Sequence, residues 1–324
     1  MATRLGRHPY FKEIVTRLFF KSIEIPPDAF LFYDKKVSPP PFSGPSFALD
    51  IAEELKHLAT VEALWSKLEG ATRKTPVVAL GGGTLLDLVG FAAATYMRGL
   101  DTLYVPTTLL AMVDAAYGGK TGFNYKGRKN LIGARHPPRE IWIDLAYLET
   151  LPKREFNSGM AEVIKYAIAF DASFMEMLEG DFSLSEVVRK CLEFKRLVVE
   201  QDPLDQGVRK LLNLGHTFAH ALESETEYRV LTHGEAVAYG LLWSSQFLLS
   251  PLEQKRIERL LHRYHLLPPL PPLDPEKLLF WMKQDKKNEK GKVTLVLPER
   301  IGKAALYETI EEQALIDFFQ KKKR

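Results

Sequence analysis

Between residues 76 and 150, short apolar runs alternate with longer stretches in which apolar side chains recur every three or four positions. PVVAL (76–80), DTLYVP (101–106) and EIWIDL (140–145) read as short buried strands. GGGTLLDLVGFAAATY and TTLLAMVDAA, which follow the first two, read as helices. Further upstream, AFLFYDKKV (29–37) reads as a strand running into a polar turn. Residues 49–69 carry apolar side chains at helical spacing (Leu55, Leu58, Val61, Leu64, Leu68), the pattern of a surface helix with one buried face. Pro26, Pro27 and the segment SPPPFSGP (38–45) interrupt regular structure, because each proline ring removes a backbone donor.

The texture changes near residue 151. Helical periodicity dominates from 153 to about 285, through KREFNSGMAEVIKYAIAF, LSEVVRKCLEFKRLVVEQ, QGVRKLLNLGHTFAHALESE, GEAVAYGLLWSSQFLLS and EQKRIERLLHRYHLL. A hairpin, KVTLVLPERIGKAALYE, and a terminal helix ending in KKKR close the chain. The pattern predicts an α/β domain over 1–150, with a parallel, Rossmann-like sheet of the nucleotide-binding type, followed by a mainly α-helical domain over 151–324. A junction between two such domains is where a ligand site is expected.

Composition narrows the function classes. The formal charge of the 324 residues is +3, from 44 basic and 41 acidic side chains, too thin a surplus to argue for nucleic acid. Cys191 is the single cysteine, which excludes a disulfide framework and a multi-thiolate metal site and fits a cytoplasmic protein. No uncharged apolar run approaches the ~20 residues of a membrane span, and the basic N-terminus lacks the apolar core of a secretory leader, so no membrane partner is expected.

Three local patterns carry chemistry. The first is GGGTLLD, a glycine turn between a strand and a helix, where backbone N–H groups and the helix dipole can receive a phosphate. Leu86 stands where a strict dinucleotide fingerprint has its third glycine, so a tight turn requiring positive φ is the competing explanation. Asp87, one turn into the helix, could hydrogen-bond a ribose or nicotinamide. The second is VDAAYGGKTGFNYKGRKNLIGARHPP, in which Asp114, Lys120, Lys129 and Asn130 stand among five glycines, with Arg98 just upstream. We read it as a polar loop whose glycines let the backbone approach a phosphorylated small molecule. The third is a histidine cluster. His216 and His220 share a helical face and His233 follows closely, while Glu162 is a carboxylate on a largely apolar helix face with Lys165 nearby. His and carboxylate donors suit zinc or a similar divalent ion, and spacing leaves open whether His220 or His233 completes the set.

Together these residues resemble the 3-dehydroquinate synthase family. The resemblance rests on ALGGGTLLDLVGFAAATYMRG, VPTTLLAMVDAAYGGKTGFNYKGRKNLIGA, LETLPKREFNSGMAEVIKY, GVRKLLNLGHTFAHALE, LTHGEAVAYGL and DKKNEKGKVTLVLP, which occur in family order from about residue 77 to 298. It implies an NAD-binding first domain, a helical metal- and substrate-binding second domain and a homodimer. The implied metal ligands for Zn2+ or Co2+ are Glu162, His216 and His233, which moves His220 to the substrate. The implied NAD contacts are Gly81, Gly82, Gly83, Thr84, Leu85, Leu86, Asp87, Thr107, Thr108, Lys120, Lys129, Tyr147, Leu148, Glu149 and Thr150. The implied substrate contacts are Asp114, Lys120, Asn130, Lys165, Lys195, Arg209, Asn213, His220 and Lys286, with Arg98 reaching a neighbouring subunit. The implied reaction converts 3-deoxy-D-arabino-heptulosonate 7-phosphate to 3-dehydroquinate in the shikimate pathway. It combines a transient oxidation by NAD, β-elimination of phosphate, re-reduction and an aldol closure.

The chain departs from the family pattern in places. Ala52 replaces a glycine in IAEELK, where Glu53 and Lys56 could still serve the cofactor. Ala115 and Ala116 replace a pair of serines, and Asp205 replaces a glutamate. The competing functions are another sugar-phosphate cyclase, such as a 2-deoxy-scyllo-inosose synthase type, a polyol dehydrogenase of the same architecture, and a non-catalytic NAD-binding relative.

Overall fold

The computed structural model describes residues 16–284 and 293–322. The chain forms two compact units. One runs up to Thr107 and includes Ala115–Glu149; the other comprises Thr108–Asp114 and everything from Thr150 onward.

The first unit is a six-stranded sheet. Its strands are β1 (Arg17–Phe19), β2 (Phe30–Asp34), β3 (Ser46–Leu49), β4 (Val77–Gly81), β5 (Thr102–Pro106) and β8 (Glu140–Trp142), in the order β1-β8-β5-β4-β2-β3, and every pairing is parallel. Both β4 and β5 are buried at every position, which explains their unbroken apolar runs: a parallel strand covered on both faces has no solvent side to mark with polar residues. Ile23, Ala29, Leu31, Val78, Leu80, Leu103 and Val105 form one core cluster. Helix α1 (Leu58–Lys67) and helix α2 (Gly83–Thr95) belong to this unit, and α2 buries eight residues. Gly90 lets α2 lie close to the sheet, since a Cβ there would sit 2.0 Å from the Tyr104 hydroxyl.

Two expectations change here. The helix expected over 49–69 starts only at Leu58. Ser46–Leu49 is an edge strand, residues 53–55 form a single 3-10 turn, and His57 caps α1 by accepting from the Thr60 amide. The polar loop is instead an antiparallel hairpin, β6 (Lys120–Tyr125) with β7 (Arg128–Arg135). Lys126 and Gly127, with φ of 48° and 72°, make the two-residue turn with positive φ that matches strand twist. Gly122 and Gly133 face one another in register, and a Cβ on Gly122 would lie 2.4 Å from the Ile132 carbonyl. Gly122, Gly127 and Gly133 thus serve strand pairing and the turn.

The second unit is mainly helical: α3 (Lys153–Phe170), α4 (Ala172–Glu179), α5 (Leu184–Gln201), α6 (His216–Glu225), α7 (His233–Leu248), α8 (Pro251–Arg263), α9 (Pro275–Gln284) and α10 (Glu312–Lys322). The expected hairpin is present as β9 (Val293–Arg300) and β10 (Lys303–Ile310). The segment expected as one helix over 206–225 is broken. A 3-10 stretch, Val208–Asn213, stops at Leu214, and α6 begins after Gly215, whose φ is +78°. TTLLAMVDAA contains a π-helical turn, Ala111–Ala115, rather than a regular helix along its whole length. Phe218, Trp243, Phe247, Phe318 and Phe319 stack α6, α7 and α10 into one core. Among the described residues, no helix is long and apolar enough to cross a membrane.

Candidate metal and substrate site

The second unit gathers its charged residues around α3. Glu162 and Lys165 lie within this helix at 1% exposure each, a burial that an apolar helix face would not tolerate without compensation. The Lys165 ammonium pairs with Glu162 and stands 3.9 Å from Asp114. Lys195, from α5, donates to the Asp114 carboxylate at 2.7 Å and also to its backbone carbonyl. Tyr166 donates its hydroxyl to the same carboxylate oxygen at 2.7 Å. Burial pushes the Asp114 carboxyl upward, but Lys165 and Lys195 outweigh it and bring the pKa down to about 2. Burial likewise lowers the Lys195 ammonium, which Asp114 only partly restores.

Beside this group, Glu162, His216 and His233 each offer one ligand atom, and these atoms all lie within 4.8 Å of one another. The Nε2 atoms of His216 and His233 are 3.3 and 3.4 Å from Glu162 Oε1. Both Glu162 oxygens are buried, and neither makes a hydrogen bond of ordinary geometry. The other nitrogen of each ring is engaged: His216 Nδ1 lies 3.2 Å from the Leu214 carbonyl, and His233 Nδ1 lies 3.1 Å from Glu223 Oε1. Carbonyls and carboxylates only accept, so Nδ1 carries the proton in both rings and Nε2 is turned toward Glu162. Burial lowers the His216 pKa to about 4, against the pull of Glu162. Burial also lowers that of His233, but the Glu162 and Glu223 carboxylates on either side of the ring override it and raise the pKa to about 10. The three donors converge beside the Lys165 ammonium, and a divalent ion held there would need both Nε2 atoms unprotonated. A buried carboxylate whose Oε1 faces two imidazole Nε2 atoms fits a divalent ion with an open position.

Of the residues singled out from the sequence, this unit brings together Asp114, Glu162, Lys165, Lys195, His216 and His233. His220 stands edge-on to His216, with ring centroids 5.7 Å apart. Arg209 is buried, its side chain donating to the Pro203 carbonyl at 3.3 Å, and Asn213 Nδ2 donates to the Lys210 carbonyl at 3.1 Å. Thr108 Oγ1 accepts from the Ala111 amide, and Thr150 is exposed. Lys286 lies outside the described residues. Sequence reasoning missed Glu223 and Tyr166. Glu223 stands seven residues after His216 and three after His220, on the same helical stripe, which is the signal that would have found it.

In the first unit the glycine turn behaves differently from the competing explanation offered for it. Gly82 caps α2 with φ −76° and ψ 175°, an extended conformation open to other residues, and it supplies no side-chain cap. The first-turn N–H groups therefore receive no side-chain acceptor from their N-cap. Thr84 donates to Glu53 Oε2 at 2.9 Å, and Asn124 donates to Glu53 Oε1 at 3.0 Å. Lys56 is 4% exposed, and its ammonium donates to Asp87 Oδ2 and to Asn130 Oδ1, both at 2.6 Å. It thus ties the first turns of α2 to the β6–β7 hairpin. Thr107 is buried, Lys120 is exposed and Lys129 half-buried. Tyr147 packs against the sheet core, Leu148 is buried and Glu149 exposed. Arg98 is exposed on a turn in which Met97, Arg98 and Gly99 all have positive φ.

The chain was also compared with known proteins. The family model for the 3-dehydroquinate synthase N-terminal region matches residues 46–158, and that for the C-terminal region matches 159–288. A 3-dehydroquinate synthase from a Nitratiruptor species is 39% identical over 284 residues, covering 84% of this chain and 81% of its own. One from Shewanella loihica is 43% identical over 280 residues, covering 81% and 78%. Among solved structures, 2-epi-5-epi-valiolone synthase from Streptomyces hygroscopicus, with NAD+ and Zn2+ bound, has a TM-score of 0.87 at 25% identity over 98% of this chain and 99% of its own. A 2-deoxy-scyllo-inosose synthase complexed with carbaglucose-6-phosphate, NAD+ and Co2+ has a TM-score of 0.81 at 25% identity, covering 94% and 96%. With both family models matched in order and curated relatives near 40% identity across most of its length, the chain belongs to the 3-dehydroquinate synthase family.

Proposed function

We propose that this protein is an NAD- and metal-dependent carbon–oxygen lyase that converts 3-deoxy-D-arabino-heptulosonate 7-phosphate into 3-dehydroquinate and phosphate. The observation that carries the reading is the Glu162–His216–His233 triad standing beside a carboxylate, Asp114, held by two buried lysines. In this reading the α/β domain over residues 1–150 holds NAD and the helical domain over 151–324 holds metal and substrate.

When bound, a divalent ion such as zinc or cobalt acidifies a substrate hydroxyl, and NAD accepts and returns a hydride. Glu162, His216 and His233 would hold the ion. The uncapped first turn of α2, from Gly81 to Asp87, would receive the cofactor's phosphates, with Thr107, Thr108, Lys120, Lys129 and residues 147–150 as further NAD contacts. Lys165 and Lys195 keep Asp114 ionised at every physiological pH, so it stays an acceptor and orients a hydroxyl without titrating. The fixed positive charge of buried Arg209 and the Lys195 ammonium suit a substrate carboxylate. Lys120 and Lys286 suit the phosphate, and Asn130, Asn213 and His220 the hydroxyls. Holding a flexible sugar acid in one orientation is worth several kcal/mol, up to roughly 7–11 in well-oriented model reactions. We also propose a homodimer in which exposed Arg98 serves the second copy.

The test is one assay on the purified protein with the heptulosonate phosphate, NAD and zinc, following phosphate, dehydroquinate and NADH absorbance together. Equal phosphate and dehydroquinate with no lasting NADH is expected, and a chelator should stop both. Lasting NADH without phosphate would instead make the protein a dehydrogenase. Silence here, with turnover on another sugar phosphate, would assign it to the valiolone or inosose cyclases that its structure also matches.

A further inference from the structure

Resting on the metal reading above, we infer that Glu223 is a positioning residue for the metal site, acting through His233. Its carboxylate is 3% exposed and its Oε1 lies 3.1 Å from His233 Nδ1. A carboxylate has no proton to give at this contact, so Nδ1 donates to it and the ring is held with Nε2 directed at Glu162, 3.4 Å away. The two residues come from different elements, Glu223 near the end of α6 and His233 at the first position of α7. The hydrogen bond therefore spans the loop between these helices and fixes the side chain across it.

Apart from Glu162 and the His216 ring, whose centroid is 5.5 Å away, the remaining surroundings of His233 fix its backbone. The Thr232 side chain caps α7 by accepting from the Glu235 amide, and Glu235 returns a bond to the Thr232 amide and a bidentate pair with Arg154. His233 is half-buried, whereas His216 is held at its Nδ1 by the backbone carbonyl of Leu214 close by in its own chain segment. Of the two imidazoles, His233 thus depends on a side chain for its orientation. A carboxylate in this place also makes the ring a stronger donor, because negative charge behind Nδ1 favours positive charge in front of Nε2. Glu223 does both jobs through the His233 ring.

Zinc affinity of the chelator-treated full-length protein tests this, measured by competition with a chromophoric chelator for wild type, Glu223→Gln, Glu223→Ala, His233→Ala and a neighbouring control, Glu225→Gln. Glu223→Gln keeps the shape but loses the charge, and it should weaken zinc about 10–100-fold, with Glu223→Ala weakened at least as much. The visible band of the cobalt form of Glu223→Gln should shift, while that of Glu225→Gln should stay with wild type. Zinc affinity of Glu223→Gln within about threefold of wild type would sink the inference while leaving the metal reading intact. So would an affinity loss matched by the Glu225→Gln control. A wild type that binds zinc no better than His233→Ala would overturn the metal reading and this inference with it.

Discussion

Replacing Gly240 with alanine would put a methyl group where α7 crosses the start of α6. A Cβ at 240 would lie 2.0 Å from the Gly215 carbonyl oxygen and 2.7 Å from its carbon, while real Cβ atoms essentially never come within 3.0 Å of such neighbours. The helix must therefore retreat by about 1 Å, and it has nowhere to go cheaply. On α7 the first turn is pinned as well, since a Cβ on Gly234 would meet the Ser158 carbonyl at 2.1 Å, and Ser158 Oγ accepts from the Gly234 amide at 2.9 Å. Ser158 sits on α3 four residues before Glu162, Gly215 immediately precedes His216, and α7 begins with His233. The three candidate ligands are thus positioned by two close backbone contacts. Overpacking of this kind costs about 1–3 kcal/mol, against about 1 kcal/mol regained from helix propensity. The net loss, up to about 2 kcal/mol, should lower the melting temperature by up to about 8 °C. Because zinc–nitrogen distances tolerate only tenths of an ångström, a shift of His216 by about 1 Å should weaken zinc about tenfold or more. Calorimetry of the metal-free protein and chelator competition measure the two effects. Gly180→Ala is the control, as its Cβ would meet nothing closer than 3.8 Å. Wild-type melting and zinc affinity in Gly240→Ala, or an equal loss in Gly180→Ala, would refute the reasoning.

Lys56→Met removes a buried ammonium that donates to Asp87 and Asn130. Asp87 keeps some access to water, so the loss should be about 2 kcal/mol and roughly 4–8 °C in melting temperature, and a drop below about 2 °C would mean the pair contributes nothing. Acid should weaken the metal-free protein partly through Asp114. Its folded pKa of about 2 lies below the ordinary 3.8, so its contribution is complete above pH 4 and is lost as pH falls toward 2. With its side chain 23% exposed, the whole term is roughly 2 kcal/mol, of which about 1 should be gone by pH 3. The stability gap between wild type and Asp114→Asn, followed by urea unfolding from pH 5 to 3, should narrow accordingly, and a constant gap would show that Asp114 is not held by Lys165 and Lys195.

Much of the fold was legible because burial writes itself into simple periods. The two central strands, Val77–Gly81 and Thr102–Pro106, are apolar at nearly every position because both faces are covered, and α3 and α5 kept their predicted bounds because their apolar stripes are long. The β6–β7 hairpin escaped because both of its strands mix glycine, lysine and asparagine with few apolar residues. Its turn, Lys126–Gly127, does not carry the asparagine or aspartate that usually announces positive φ. The break at Gly215 escaped for the opposite reason: the apolar period of KLLNLGHTFAHAL runs straight through it, and only a tertiary contact, the close approach of Gly240, explains why the chain turns there.

The candidate site divides along the same line. Glu162 was visible because a charge on an apolar helix face is costly and demands a partner, and His216 because it shares a helical face with His220, whereas Lys195 came only from the family resemblance. Glu223 was harder to see, since an acid near the end of a helix is ordinarily solvated, and its place on the His216 stripe is the one local hint of burial. Only the fold, by bringing the loop before α7 back to α6, sets it 3.1 Å behind His233. Ligands in this chain are chosen by residue type, which sequence records, whereas their orientation is set by contacts between helices, which sequence records only as an unexplained glycine or an unremarkable glutamate. That is why substitutions at Gly240 and Glu223, neither of which touches an ion, should weaken zinc while leaving every ligand in place.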